Sequence, residues 1–507
     1  MQLLSKKLLN EAHTVAEDME TILYSDQLPE KVIQFGEGNF LRAFVDWMFH
    51  RLNRQKLFNG KIVVVQPIEK GMVNKLNEQD GLYTLIQRGL INGRNMDIKE
   101  IVSSVSRGIN PYENWTEVLQ CAENPEIEYV VSNTTEAGIV YDPKDSVDFK
   151  PPNSFPGKLA VYMYHRYKHF NGDPSKGLVL LPCELIDRNG DVLEQIVLRL
   201  AKKWNYPEGF INWVKNCNQF LNTLVDRVVP GYPREEAAAI TDRLGYQDNL
   251  LCTSELYHLW VIEGEEGLSK KLPFREAGLN VIWTGDMAPY RTRKVRILNG
   301  AHTSSVPGAY LYGLDTVGEM IDHGIIGSFT KELIFKEVIP ALNYQVEELR
   351  EYAESVFERF ANPYIKHYLT SILLNCSSKY KTRVLPSILD YYNKYNSLPD
   401  RLVFSLAVLI FLYKDGKVTG SEMIAAKDRG EIKIQDDLSV LKFFEEIWKA
   451  FDGSQSSIME ITQRVLGNEH LWDKNLNQIQ GLTGKVSENL QGLVFKGIKK
   501  MYDQFAG

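Results

Sequence analysis

The sequence predicts an α/β protein, with an N-terminal doubly wound domain over residues 1–286 and a mainly α-helical C-terminal domain over residues 287–507. Three observations predict it. Short β-branched apolar runs alternate with helical stretches in the first half, a glycine turn closes the first of those runs, and helical periodicity takes over after about residue 286.

The runs "KVIQFGEGNF" (31–40), "KIVVVQPIE" (61–69), "IEYVVSNTTE" (127–136) and "GLVLLPCELI" (177–186) each end on turn or polar residues. Between them "LRAFVDWMFHRLNRQ" (41–55) and "SFPGKLAVYMYHRYKHF" (154–170) are periodic as helices are, which implies a parallel sheet covered on both faces. "GLNVIWT" (278–284) reads as the last strand of that sheet. The opening residues 1–24 read as an amphipathic helix without the basic flank and cleavage site of an export signal. Beyond residue 286, "KELIFKEVIPALN" (331–343), "VEELREYAESVFERFA" (346–361) and "RLVFSLAVLIFLYKDG" (401–416) read as helices, and strand-like runs almost vanish. The apolar stretch 402–413 falls short of the roughly 20 residues a bilayer requires, so it reads as a buried helix and no membrane partner is expected.

At 507 residues the chain is too long for one core, and its net charge of −7 argues against a nucleic-acid partner. An acidic small molecule would need a local basic pocket. Cys121, Cys183, Cys217, Cys252 and Cys376 are scattered with no CxxC pair, which suggests reduced thiols in a cytoplasmic protein, with neither a disulfide frame nor a zinc site.

Gly36 and Gly38 form a G-x-G turn between the first strand and a helix, the arrangement of a Rossmann-like dinucleotide site. Leu41 stands where a third glycine is usual, and a tight structural turn would use the same spacing. The second strand ends in Gln66, where an acid would grip a ribose. Gln66 can hydrogen-bond a ribose, and no arginine waits there for a 2′-phosphate. NAD is therefore favoured over NADP, with Lys70 keeping the alternative open. Asn133, Thr134 and Thr135 close the next strand and should pass near the nicotinamide half, or else cap the following segment.

"RTRKVRILNGAHTSS" (291–305) places Lys294, Asn299 and His302 within nine positions at the expected domain junction, a usual place for a cleft. On an α-helical wheel His302 lies about 80° and Asn299 about 140° from Lys294. Moving a hydride between a secondary alcohol and a nicotinamide needs a base for the hydroxyl proton and donors for the developing alkoxide. Lysine can be that base, without a metal, where apolar or cationic neighbours lower its pKa, and Arg291, Arg293 and Arg296 are cationic neighbours in sequence. A solvated helix face would show the same pattern.

"KVRILNGAH" (294–302) resembles the signature of the mannitol dehydrogenase family of polyol-specific long-chain dehydrogenases. "FGEGNFLRAF" (35–44), "DGLYT" (80–84), "LVDRVVPGYP" (224–233) and the stretch from "RFANPYIKH" to "VLP" (359–386) resemble that family in the same order. The resemblance implies a Rossmann-like domain followed by a helical one, with the active site at their interface. It implies Lys294 as general acid/base, with Asn299 and His302 polarising the reacting oxygen. It also implies an NAD-contacting element made of Val32, Ile33, Gln34, Phe35, Gly36, Glu37, Gly38, Asn39, Phe40, Leu41, Arg42 and Ala43. Asp226, with Arg227 beside it, matches a family active-site aspartate.

Strings such as "SNTTEAGI" (132–139), "PCELIDRNGD" (182–191) and "GLDTVGE" (313–319) resemble family members acting on keto-uronic acids. This implies reversible reduction of D-tagaturonate to D-altronate, with D-fructuronate and D-mannonate as a close variant. A non-catalytic regulator binding NAD and a sugar acid is the reading from another class. Two departures matter. Leu185 replaces an asparagine that polyol enzymes carry, and Arg291 replaces a frequent glutamate three residues before the lysine. Arg291 suits a carboxylate substrate, with Lys379 and Arg383 as further candidates, though each is equally compatible with a surface role. The oligomeric state is not legible.

Overall fold

Val32, Ile33, Phe35 and residues 62–65 are all buried to within 1% because the sheet they form is covered on both faces. In a computed structural model, which describes residues 1–11, 19–20, 28–91, 93–134 and 138–505, the chain forms two compact units. The first comprises Met1–Gly89 and Arg94–Met287, the second Leu90–Gly93 and Ala288–Gly507.

In the first unit the main sheet has six strands: β1 (Glu30–Phe35), β2 (Lys61–Val65), β3 (Val105–Ile109), β4 (Tyr129–Ser132), β5 (Val179–Pro182) and β6 (Gln219–Phe220). Their order is β3-β2-β1-β4-β5-β6, and every pairing is parallel. The period of two along each strand divides the core. Val32, Ile62 and Val64 pack with Phe44, Met48 and Phe49 on one face, while Ile33, Phe35, Val63 and Val65 pack with Leu159, Tyr162 and Met163 on the other. The strand order reverses between β1 and β4, and a doubly wound sheet binds its ligand outside the carboxyl ends of the strands at that reversal.

Residues 278–284 depart from the sequence expectation. Val281–Thr284 pairs in parallel with Leu259–Glu263, which runs antiparallel to Asn222–Asp226, in a separate three-stranded sheet. The last position of the main sheet is taken instead by β6. The opening segment is helical over Lys6–Glu11, whereas Met19–Glu20 pairs in parallel with Lys99 and Glu100; residues 12–18 and 21–27 lie outside the described residues.

The second unit is helical around Asp400–Leu412, which is buried on nearly every side from Leu402 to Ile410. It also holds strands the sequence reading lacked. Gly416–Thr419, Glu422–Lys427 and Gly430–Ile434 form an antiparallel meander, turning at Gly420 (φ +64°) and Gly430 (φ +103°). Met423, Ala425, Ile432 and Ile434 are its buried side. Among the described residues no helix is long and apolar enough to cross a membrane, and all five cysteines are free.

Helix Trp47–Arg54 carries His50, 1% exposed, whose Nδ1 accepts the Ser103 N–H at 3.3 Å. Burial, with Arg54, Arg51 and Lys61 nearby, pulls its pKa down to about 3. A depressed histidine pKa contributes stability above the unfolded value of about 6.5, and that contribution is lost as pH falls towards 3. His50 should therefore cost the fold on the order of 2 kcal/mol at pH 5 relative to pH 7. Urea unfolding of His50→Gln at the two pH values should show that loss reduced relative to the parent protein.

Candidate active site

The turn at residues 36–38 is set by one strained position and one open one. Gly36 has φ +129° and donates its N–H to Val65 O at 3.0 Å. A Cβ there would stand 2.9 Å from Asn133 O and 3.0 Å from Leu41 Cδ1, so only glycine fits. Gly38 (φ −67°, ψ 166°) has ordinary backbone angles, and a Cβ on it would meet nothing within 4 Å. Its bareness leaves an open approach to the start of the continuous helix 39–54, which runs through Asn39–Leu41, a π-turn at Arg42–Asp46, and Trp47–Arg54. The first intrahelical bond is Arg42 N–H to Gly38 O, at 3.2 Å. The N–H groups ahead of it have no intrahelical acceptor, as a pyrophosphate site requires.

Arg42 locks the turn, donating to Glu37 O at 3.2 Å, to Asn39 Oδ1 at 2.6 Å and to Leu250 O. The accessible stretch is narrower than residues 32–43. Val32, Ile33, Gln34 and Phe35 are fully buried strand residues, and Leu41, Arg42 and Ala43 are sealed in the helix packing. Gly38, Asn39 and Phe40 are the accessible part. Gln66 also departs from the sequence expectation. It is 2% exposed, its Nε2 donates to Ile68 O and Glu69 O at 2.9 Å each, and so its amide nitrogen closes its own loop.

At the end of β4, Asn133 donates its side-chain N–H to Cys183 O at 2.8 Å, while its own carbonyl lines the Gly36 turn. Thr135 lies outside the described residues. A residue the sequence reading assigned no role organises this loop. Glu184, 2% exposed, accepts from Ser132 Oγ at 3.0 Å and from the Thr134 N–H and Oγ1 at 2.9 Å each. Burial raises its pKa, and those donors oppose the rise. The signal available in sequence was an acid two residues after the end of a buried strand.

In the second unit, Lys294 lies in a helix that changes its winding. Ala288–Arg293 is α-helical, Lys294–Asn299 is a π-helix, and Gly300–Tyr312 returns to α. A π-turn closes on residue i+5 and takes up one extra residue, withdrawing roughly 100° of rotation from everything beyond it. The wheel angles of about 140° and 80° thus become about 40° for Asn299 and about 20° to the other side for His302. By this arithmetic the extra residue turns Lys294, Asn299 and His302 towards one face of the helix.

His302 is 8% exposed, stacked on Phe360 at 4.3 Å and edge-to-face with His367 at 5.3 Å between centroids. Its Nε2 is buried without a hydrogen-bond partner. Burial, with His367, Arg359, Arg383 and Lys379 nearby, holds its pKa well below the ordinary value, so the ring is neutral at physiological pH. Lys294 and Asn299 are half-buried.

The three arginines beside Lys294 have different surroundings. Arg296 is buried and donates to Ser387 Oγ and Asp390 Oδ2 at 2.6 Å each, so its charge is already compensated. Arg293 lies over the Tyr352 ring at 4.4 Å. Arg291 is half-buried, and desolvation lowers its pKa. Lys379, also half-buried, donates to Ile372 O at 3.1 Å.

Asp226 ends a strand of the first unit and is 6% exposed. Arg227 has its donors on protein groups. Its guanidinium is buried, lies over Trp47 at 4.5 Å, and donates to Ala43 O, Glu255 O and Gln87 Oε1. Burial pulls its pKa down to about 10, with Glu255 opposing the shift, and its hydrogen bonds tie chain segments together.

These features define a dehydrogenase class. The chain belongs to the mannitol dehydrogenase family: the model of that family's Rossmann domain matches residues 30–275, and that of its C-terminal domain matches residues 286–494. It is similar to the altronate oxidoreductase of Bacillus subtilis, with 46% identity over 479 residues, covering 94% of this chain and 96% of that one. It is also similar to the altronate oxidoreductase of Halalkalibacterium halodurans, at 43% identity and 96% coverage of both chains.

Among solved structures, the Pseudomonas fluorescens mannitol 2-dehydrogenase ternary complex with NAD and D-mannitol shares the fold at TM-score 0.71 and 19% identity, covering 99% of each chain. A substrate-free D-sorbitol dehydrogenase shares it at TM-score 0.80 and 20% identity, covering 99% of this chain and 100% of that one.

The two glycines should separate under substitution. Gly38→Ala should leave stability within about 0.5 kcal/mol of the parent yet raise the Kd for NADH at least tenfold, as a new methyl obstructs the approach. Gly36→Ala should lower Tm as well, by the equivalent of about 2 kcal/mol or more. Calorimetric titration and thermal melts of both variants check this.

Proposed function

We propose that the protein is an NAD-dependent altronate oxidoreductase, reversibly reducing D-tagaturonate to D-altronate in hexuronate catabolism in the cytoplasm. The names of relatives at 42–46% identity over nearly the whole chain support this reading. The observation that carries its chemistry is the π-turn Lys294–Asn299, whose winding would bring Lys294, Asn299 and His302 to a common face. Residues 36–40 would hold the dinucleotide pyrophosphate, and the bare Gly38 fits that task.

Bound there, NADH supplies the hydride for the substrate carbonyl carbon. The chain supplies the proton and the charge stabilisation. Lys294, as ammonium, donates its proton to the carbonyl oxygen as negative charge develops on it. Asn299 offers a side-chain N–H to the same oxygen. His302 does so through Nε2, which burial leaves without a protein partner. A neutral imidazole suits the role, because it can hold the oxygen without competing with Lys294 for the proton. In the oxidative direction Lys294, deprotonated, takes the hydroxyl proton.

A uronate differs from a neutral ketose by its carboxylate. Arg359, Lys379 and Arg383 all act on His302 as positive charges, and Arg291 lies one helical turn before Lys294. This cationic field supports a carboxylate-bearing substrate.

Lys294→Ala should leave NADH affinity nearly unchanged while lowering turnover by about 10²–10⁴-fold, as stopped-flow reduction of tagaturonate would measure. Arg291→Ala should raise KM for tagaturonate and spare fructose. An NADH oxidation panel of tagaturonate, fructuronate and fructose should show tagaturonate consumed fastest; faster consumption of fructuronate would transfer the assignment to the mannonate-forming reaction.

A further inference from the structure

In a doubly wound dinucleotide fold the adenosine ribose lies at the tip of the second strand, where an acid reads its hydroxyls. Here that tip is Gln66, whose amide closes its own loop, so the usual reader is missing. Another acid reaches the place. Glu37, the middle residue of the glycine turn, directs its carboxylate into the loop after β2, where Oε1 accepts the Met72 N–H at 3.3 Å. The approach is close: a Cβ on exposed Gly71 would stand 2.2 Å from Glu37 Oε1 and 2.4 Å from Gln66 Oε1. Glu37 is only 8% exposed, and its Oε2 has no hydrogen-bond partner.

We propose that Glu37 is the residue that selects NAD over NADP, placing from the glycine turn the carboxylate that the second strand lacks. The inference rests on the dinucleotide reading of the turn. A 2′-hydroxyl can donate to a carboxylate, whereas a 2′-phosphate brings a charge of about −1.5 to −2 against it. Arg42, which acts on Glu37 as a positive charge, has its donors on Glu37 O, Leu250 O and Asn39 Oδ1, so it is not available to a phosphate; exposed Lys70, on the loop after β2, is the cation left to one. Glu69 adds a second negative charge on the exposed part of the same loop. Desolvation raises the Glu37 pKa and so favours the neutral acid, while the Glu37 and Met72 backbone N–H groups and Arg42 oppose the rise and favour the carboxylate.

The test is calorimetric titration of the full-length protein with NADH and with NADPH, without sugar substrate, for the parent, Glu37→Gln and Glu37→Asp. The parent should bind NADH more tightly than NADPH. Glu37→Gln, nearly isosteric but uncharged, should shrink the NADPH-to-NADH Kd ratio at least tenfold, and Glu37→Asp should keep most of the parent's preference. A Gln variant that shifts both Kd values by the same factor makes Glu37 a loop anchor only and overturns the assignment, as does an Asp variant that discriminates no better than Gln. A parent protein that binds NADH no more tightly than NADPH overturns it too, with the dinucleotide reading intact. Failure of the parent to bind either dinucleotide overturns the dinucleotide reading, and this inference with it.

Discussion

One extra residue in the helical turn Lys294–Asn299 sets the phase of the helix that carries the proposed acid/base set. An α-helix would spread Lys294, Asn299 and His302 over an arc of about 140°; the π-turn gathers them into roughly 60°. Such a turn gives up regular hydrogen bonding and persists where packing over-determines it. Here the packing is dense. Ile297 is fully buried, Arg296 is fastened to Ser387 and Asp390, and the α-helix that follows is buried from Gly300 to Ala309. In the proposed site, helix phase as well as the choice of residues would make a set out of three polar side chains.

The first unit uses buried polar groups to a similar end. Arg42 holds the glycine turn, Glu184 holds the end of β4, and Arg227 draws together segments from residues 43, 87 and 255. Each is buried, and each meets backbone groups that would otherwise be unsatisfied. Beneath the turn, burial raises Asp46 to about 7, tempered by Gln34 and Arg42. Loops at the strand ends are the parts of such a fold that must be both irregular and fixed, and these side chains supply the fixing.

Much of this was legible in the sequence, in proportion to how local its cause is. The strands at 31, 61, 129 and 179 announce themselves by apolar runs, and the turn by its glycines. β3, "VSRGI", was not legible, because Ser106 and Arg107 interrupt the run and Arg107 pairs with Glu30 only in the folded sheet. β6 is two residues long, and the meander at 416–434 alternates too weakly against its charged residues to stand out. Lys294, Asn299 and His302 were visible as residue types, but their shared face was not, because a wheel assumes uniform winding. Gln66 and Arg227 looked available for ligands because nothing in a linear chain shows which carbonyls will occupy their donors.

The central claim is that the π-turn directs three side chains at one reacting oxygen. A crystal structure of the ternary complex with dinucleotide and a non-reacting uronate analogue tests it most directly. The account predicts Lys294 Nζ, the Asn299 side-chain amide and His302 Nε2 all within hydrogen-bonding distance of the oxygen on the carbon facing the nicotinamide. A complex in which residues 294–299 wind as regular α-helix, with that oxygen held by other groups, would contradict it.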